Sequence, residues 1–257
     1  MTTIISFVSQ KGGVGKTTSA VNLATAFTFG GYSVLLVDLD PQSSVRFSMG
    51  VKNKITQGTR ELFLEPEIPL SDLIQQTEQG NPSFIFSNID SIKNEAKVFK
   101  IAVEEAFLKD RLMPVMDQYD FIIVDAPASS NNMAVNAICC SDLIILPLQC
   151  EGLAIKSLKR FLVLFAELQR RLSGKDLKLA GILLTMYDRK IEVHRKVSQQ
   201  VYRALSDSIF KTIIPRNEAI IESSAMGKSV ITYQLNSIGA TAYIQLMHEL
   251  IDKFNLP

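Results

Sequence analysis

Short, unbroken apolar runs recur along the chain, and helical spacing of apolar positions fills much of the sequence between them. Ile4-Ile5-Ser6-Phe7-Val8, Val34-Leu35-Leu36-Val37, Phe121-Ile122-Ile123-Val124, Leu143-Ile144-Ile145-Leu146, Ala180-Gly181-Ile182-Leu183-Leu184 and the short Ile213-Ile214 read as strands. Because these runs are continuous rather than alternating, both faces of each strand are expected to be covered, as in a parallel sheet with helices on either side. The order of strands and helices predicts an α/β fold with a doubly wound, mostly parallel sheet. Gly30-Gly31 is placed to stop the helix that follows the first strand. Between about Val51 and Asn94, Pro66, Pro69, Gly80 and Pro82 break the pattern, so short helices and loops are expected there, inside the same domain. Near the carboxyl end, Ala240, Tyr243, Ile244, Met247, Leu250, Ile251 and Phe254 form a stripe that should pack on the core.

At 257 residues and 47% apolar composition, the chain can bury a large core, and residues 1–257 are read as one domain. The amino terminus enters a strand almost at once, without a signal peptide's basic start and apolar core and without an added DNA-binding domain, which predicts a cytoplasmic protein. Cys139, Cys140 and Cys150 lack both a disulfide framework and a metal-binding spacing and are expected in the core. His194 and His248 have no recognisable catalytic partner and are read as surface or interface residues. A net charge of +1 argues neither for nor against nucleic acid, so that question passes to local patches.

The chemistry concentrates in Lys11-Gly12-Gly13-Val14-Gly15-Lys16-Thr17-Thr18, between the first strand and the first helix. A glycine loop in that position turns backbone N–H groups inward, and with the positive end of the helix they form a cradle for phosphate oxygens. Lys16 can reach the outer phosphates, and the Thr17 hydroxyl is placed to ligate Mg²⁺. Asp38 and Asp40 follow the second strand and Asp125 follows the third, at the carboxyl edge where such sheets bind ligands. A lone strand-end aspartate is commonly just a cap or turn residue. Beside a phosphate loop, Asp125 reads as the carboxylate that holds Mg²⁺ directly or through water.

Where an ordinary phosphate loop has glycine, this chain has Gln10, and a second lysine, Lys11, follows. The pattern resembles the deviant Walker A ATPases, the P-loop group containing ParA partition proteins, MinD and the nitrogenase iron protein. The resemblance implies that Lys11 crosses a dimer interface to the partner's nucleotide, giving an ATP-sandwiched homodimer; the plainer alternative is a lysine that only raises local positive potential. Leu36-Val37-Asp38-Leu39-Asp40-Pro41-Gln42 is similar to the ParA motif, which implies that Asp40 positions the attacking water and Asp38 supports the Mg²⁺ shell. Ala134-Val135-Asn136-Ala137, Leu146-Pro147-Leu148-Gln149-Cys150-Glu151 and Leu183-Leu184-Thr185-Met186-Tyr187-Asp188 extend the resemblance over nearly the whole chain, in the short ParA/Soj form. Ile214-Pro215-Arg216-Asn217 matches a family loop beside the adenine, making Pro215, Arg216 and Asn217 candidates for base contacts, with a structural turn as the alternative.

Two departures stand out. Family members often carry Asp-Cys-Pro-Pro-Ser after the third of these strands, against Asp125-Ala126-Pro127-Ala128-Ser129-Ser130 here, so the switch segment is expected to respond differently. Ala219 and Glu222-Ser223-Ser224-Ala225 stand where many ParA proteins have a basic residue and Ser-Glu-Ala-Pro, removing one expected DNA contact. From Arg189 to Lys228 the chain holds eight basic and four acidic residues, a balance of +4. Arg189, Lys190, Arg195, Lys196, Arg203, Lys211 and Lys228, with Arg216, are either a solvated helical face or a face for phosphate backbones. The resemblance favours the second.

It implies an ATPase using ATP and Mg²⁺ whose dimer binds double-stranded DNA without sequence preference, associates with the nucleoid, and is released when a ParB-like partner stimulates hydrolysis, in chromosome or plasmid segregation. The alternative is a MinD-like or orphan ParA-like ATPase that positions a protein or membrane cargo. Stable membrane anchoring is not expected, because the carboxyl-terminal stripe reads as packing rather than as a basic amphipathic helix. The adjacent pair Cys139-Cys140 does not match an iron–sulfur reductase.

Overall fold

The long apolar runs lie side by side in a computed structural model that describes residues 2–78, 80–128, 131–172 and 177–257. Strands β1 (Thr3–Phe7), β2 (Val34–Asp38), β3 (Ser83–Ile85), β4 (Phe121–Asp125), β5 (Leu143–Gln149) and β6 (Lys178–Thr185) pair in parallel in the order β3-β2-β4-β1-β5-β6. The helices are α1 (Lys16–Phe29), α2 (Ser44–Ser48), α3 (Thr59–Leu64), α4 (Leu70–Leu73), α5 (Ile92–Ile101), α6 (Phe107–Met116), α7 (Asn132–Cys140), α8 (Ala154–Arg171), α9 (Glu192–Leu205), α10 (Glu218–Ala225), α11 (Val230–Tyr233) and α12 (Ile238–Phe254).

Alternate residues of each strand feed two separate cores. Ile4, Leu35, Val37, Ile122, Val124, Ile144 and Ile182 pack with residues of α3 to α9 on one face. Ile5, Phe7, Leu36, Phe121, Ile123, Ile145 and Leu183 pack with α1, α10, α11 and α12 on the other. Covering both faces is why apolar residues point to both sides of each strand. α1 stops at Gly30, and Gly31 follows at φ +92°, a conformation that glycine adopts without strain. The α12 stripe packs as expected, with Ala240, Tyr243, Met247 and Leu250 buried and Ile244, Ile251 and Phe254 partly buried against the same core. All three cysteines are buried. Among the described residues no helix is long and apolar enough to cross a membrane.

Two expectations are corrected. The stretch between Val51 and Asn94 is not only helices and loops: Ser83-Phe84-Ile85 is a strand, in register with Leu35-Leu36-Val37. Three residues after Pro82 carry too little pattern to be read as a strand; pairing with β2 makes them one. Conversely, Ile213-Ile214 forms no strand. Ile214 does exchange hydrogen bonds with the β6 end, donating to the Leu184 carbonyl at 2.9 Å and accepting from Tyr187 N–H at 3.1 Å. The pairing is broken into isolated bridges: before Ile214 the Lys211 and Thr212 N–H groups donate to the Glu249 carboxylate instead, and past Met186, at φ +49°, contact resumes only where Arg216 N–H donates to the Tyr187 carbonyl at 3.1 Å. The Ser129-Ser130 departure noted above lies outside the described residues.

Candidate functional site

β1 ends at Phe7, and the chain turns through the glycine loop into α1. Gly13 and Gly15 stand at φ +73° and +83°, where a side chain would strain the backbone. No side chain of the described residues caps α1, so the N–H groups at its start stay open toward the loop, the arrangement that receives an anion. Gly12 and Gly13 are exposed, and Val14 is buried. The Val14 carbonyl accepts from Thr185 Oγ1 at 2.8 Å, which ties the loop to the end of β6. Lys16 is only 6% exposed, whereas Thr17 and Thr18 are half-buried at the head of the helix.

Asp38 and Asp125 are direct register partners at the carboxyl ends of β2 and β4, on the sheet face that α1 covers. Thr17 Oγ1 donates to Asp125 Oδ2 at 2.6 Å, and Asp40 N–H donates to Asp38 Oδ1 at 3.0 Å. The other oxygens, Asp38 Oδ2 and Asp125 Oδ1, are buried without a partner. Burial raises the Asp125 carboxyl to about 7, against the Thr17 hydrogen bond and the Lys16 charge. Burial, and then the Asp125 charge, holds Asp38 well above the usual carboxylate range. The Lys16 ammonium is pulled down by burial, opposed by Asp125 and Asp40. Two orphaned carboxylate oxygens beside a hydroxyl are the environment a divalent cation satisfies. Among the described residues no group of three His, Cys, Asp or Glu could hold a metal, so the arrangement fits a cation that takes its remaining ligands from phosphates and water, as Mg²⁺ does. Asp40 is partly exposed beside this row, its Oδ1 accepting from Gln42 N–H at 3.0 Å.

Lys11 Nζ meets Glu151 Oε2 at 2.7 Å. Beside Gly15 and Thr18 opens a cavity of about 840 Å³, walled by Met186, Ile191, Ile214, Pro215 and Ile220 and reached by Arg216, Asn217 and Glu151. Its size and apolar walls suit the non-phosphate part of a nucleotide. Pro215, Arg216 and Asn217 therefore line the same site as the glycine loop. Asn217 Oδ1, however, is sealed and unpartnered. Met186 sits at φ +49°, a strained conformation for a long side chain, at the wall beside Gly15.

His194 corrects a sequence expectation: it is 6% exposed and lines this cavity, while His248 is on the surface as expected. A histidine one turn into an amphipathic helix gives no sign of which face is covered until the helix is docked. Glu151 and Thr185 were visible only inside segments of family resemblance, and no spacing pointed to their contacts. The basic residues Arg189, Lys190, Arg195, Lys196, Arg203, Lys211, Arg216 and Lys228 are all exposed. Arg195, Lys196 and Arg203 lie within about 100° of one another around α9. Lys196 is paired with Glu192 at 2.6 Å. Lys228 instead borders a second cavity with Lys52 and Lys54. Ala219, where a basic residue was missing, is buried.

A family model described as an AAA domain matches residues 2–179. The chain is 34% identical over 250 residues to the chromosome partitioning protein ParA of Myxococcus xanthus, covering 97% of this chain and 88% of that one. It is 34% identical over 247 residues to the sporulation initiation inhibitor protein Soj of Bacillus subtilis, covering 96% and 97%. Among solved structures, cobyrinic acid a,c-diamide synthase from Mycobacterium smegmatis with bound ADP and magnesium matches with a TM-score of 0.83 at 29% identity, covering 99% and 96%. Identity of 34% along nearly the whole chain shows that this protein, with its parallel sheet, open glycine loop and acidic strand edge, belongs to the ParA/Soj family of P-loop ATPases, which hydrolyse ATP with Mg²⁺.

Proposed function

We propose that this protein is a partition ATPase whose ATP-bound homodimer holds double-stranded DNA without sequence preference and lets go on hydrolysis. The observation that carries the reading is the convergence of the glycine loop, Lys16 and Thr17 with the orphaned oxygens of Asp38 and Asp125. In this reading the N–H groups of Gly12 to Thr18 hold the phosphates, and Lys16 neutralises the outer ones. Thr17, Asp125 and Asp38 hold the cation, directly or through water; when bound, Mg²⁺ offsets the negative charge that builds between the phosphates. Asp40 orients water in line with the terminal phosphate, because phosphoryl transfer depends on positioning more than on covalent chemistry. Pro215, Arg216 and Asn217 border the base.

Lys11 serves the partner's nucleotide. Within one chain it is satisfied by Glu151, so closing the dimer trades that half-exposed ion pair for a phosphate contact. Arg189, Lys190, Arg195, Lys196, Arg203, Lys211 and Lys228 supply the DNA face, and two protomers double the phosphate contacts and roughly double the salt slope. A ParB-like activator triggers release. The protein then works in the cytoplasm on the nucleoid, as one domain spanning residues 1–257.

The test is binding to a non-specific duplex without nucleotide, with ADP, and with ATP and Mg²⁺, across a salt series. Asp40→Ala should keep ATP and the dimer while losing turnover, and so hold the DNA-bound state. Tight, salt-sensitive binding confined to the ATP state supports the proposal. Absence of DNA binding in every state, with hydrolysis intact, would redirect the search to protein or membrane cargo.

A further inference from the structure

We infer that His194 is a specificity-determining contact to the nucleobase, offering its Nε2–H to an acceptor nitrogen on the edge of a purine. The inference rests on the nucleotide reading of the 840 Å³ cavity given above.

The ring is held by two local contacts. His194 Nδ1 accepts the Asp188 N–H at 3.0 Å, and Asp188 itself is fixed by accepting Lys190 N–H at 2.8 Å on Oδ1. Tyr187 packs near the imidazole, with ring centroids 5.8 Å apart. An imidazole that accepts at Nδ1 carries its hydrogen on Nε2. That nitrogen has no hydrogen-bond partner among the described residues, yet it is not one of the sealed, unpartnered atoms. The residue is 6% exposed and lines the cavity, so the proposed ligand atom meets Nε2 there.

The surroundings select the ligand atom. Gly15 and Thr18 place the phosphates at one end of the cavity, and Met186, Ile191, Ile214, Pro215 and Ile220 wall the remainder. Apolar walls suit the two faces of a flat aromatic base, but the edge nitrogens of that base lose water on entry and need a donor. Asn217 Oδ1 is an acceptor and cannot serve them, and it is sealed beside Gly239, where an added Cβ would lie 2.9 Å from it; other donors of this lining include the Asn217 Nδ2–H and the exposed Arg216 guanidinium. His194 Nε2–H is a donor already oriented by its other nitrogen, so it is preorganised for such an edge.

Two variants separate the donor from the scaffold. His194→Asn can keep an acceptor for Asp188 N–H while losing the Nε2 donor; His194→Gln sets an amide donor near the Nε2 position. Binding of ATP, 7-deaza-ATP, 1-deaza-ATP and inorganic tripolyphosphate is measured by calorimetry for the wild type and both variants. His194→Asn should weaken ATP about fivefold, the worth of one neutral hydrogen bond, with His194→Gln recovering most of it. The wild type should lose a similar factor with one of the two deaza analogues, whereas His194→Asn should not distinguish that analogue from ATP. Tripolyphosphate should bind all three proteins alike. Equal ATP affinity for wild type and His194→Asn, or a wild type indifferent to both analogues, overturns the inference and leaves the nucleotide site intact. A wild type that binds neither ATP nor tripolyphosphate overturns the reading of the cavity itself.

Discussion

The two ends of the nucleotide site are built in opposite ways. The phosphate end is rich in charge and built from short segments of fixed pattern: one glycine loop, one helix start, and three aspartates at or just past the ends of two strands that are register neighbours. The base end is apolar and assembled from the β6 terminus, the start of α9, the Ile214–Asn217 segment and α10, with Tyr243 of α12 behind. Charge and backbone geometry act over a few ångströms and demand particular residues at fixed spacing. An apolar wall demands only volume and shape, which many sequences supply. Substitutions should therefore affect catalysis steeply at the first end and affinity gently at the second.

The largest effect is expected for Lys16→Ala, which should lower turnover at saturating ATP by about 10²- to 10³-fold in a phosphate-release assay. A loss under tenfold would mean that the charged end does not do the chemistry. Asp125→Asn should also lower Mg²⁺-dependent hydrolysis, by a smaller factor, yet stabilise the nucleotide-free protein. Its folded-state pKa of about 7 lies above the unfolded value near 3.8, so the native state binds more protons between those values and stability falls as pH rises through that window. Urea midpoints of the metal-free wild type should drop from pH 4 to pH 7. The variant should lack most of that drop and exceed the wild type at pH 8 by at least about 1 kcal/mol, less than one pKa unit's worth. A variant less stable than the wild type at pH 8 would show that the orphaned carboxylate carries no strain.

At the apolar end, Ile220→Ala should weaken ATP binding about threefold to tenfold by titration, leaving tripolyphosphate affinity and saturated turnover unchanged. A fall in turnover would erase the contrast between the two ends. The smallest effect on folding should come from Glu151→Ala. Its pair with Lys11 is exposed by 45% and 30% at the two side chains, so the urea midpoint should shift by less than about 0.5 kcal/mol. If Lys11 has to be released to serve a second protomer, the same variant should dimerise with ATP at lower protein concentration in analytical ultracentrifugation.

The phosphate end was legible before any coordinates because its chemistry restricts residue type at each position. Gly13 and Gly15 take left-handed backbone, Lys16 and Thr17 must begin the helix, and Asp38 and Asp125 end strands whose apolar runs are plain. The doubly wound sheet was legible for the same reason: strands buried on both faces leave no polar alternation to confuse them. Ser83–Ile85 was not, since three residues take their strand identity from β2, and Ile213-Ile214 misled because two apolar residues do not reveal that the preceding Lys211 and Thr212 N–H groups turn to Glu249 instead of a strand.

The sequence by itself determined the class of sheet, the phosphate loop and the acidic edge, since each is a local demand of backbone conformation or charge. Tertiary structure alone decided that Asp38 and Asp125 share a buried row with unpartnered oxygens, that Lys11 finds Glu151, and that His194 is buried and lines the cavity beside the glycine loop. Those outcomes depend on which elements pack together, and burial and pairing belong to the packed arrangement, not to the residues one at a time.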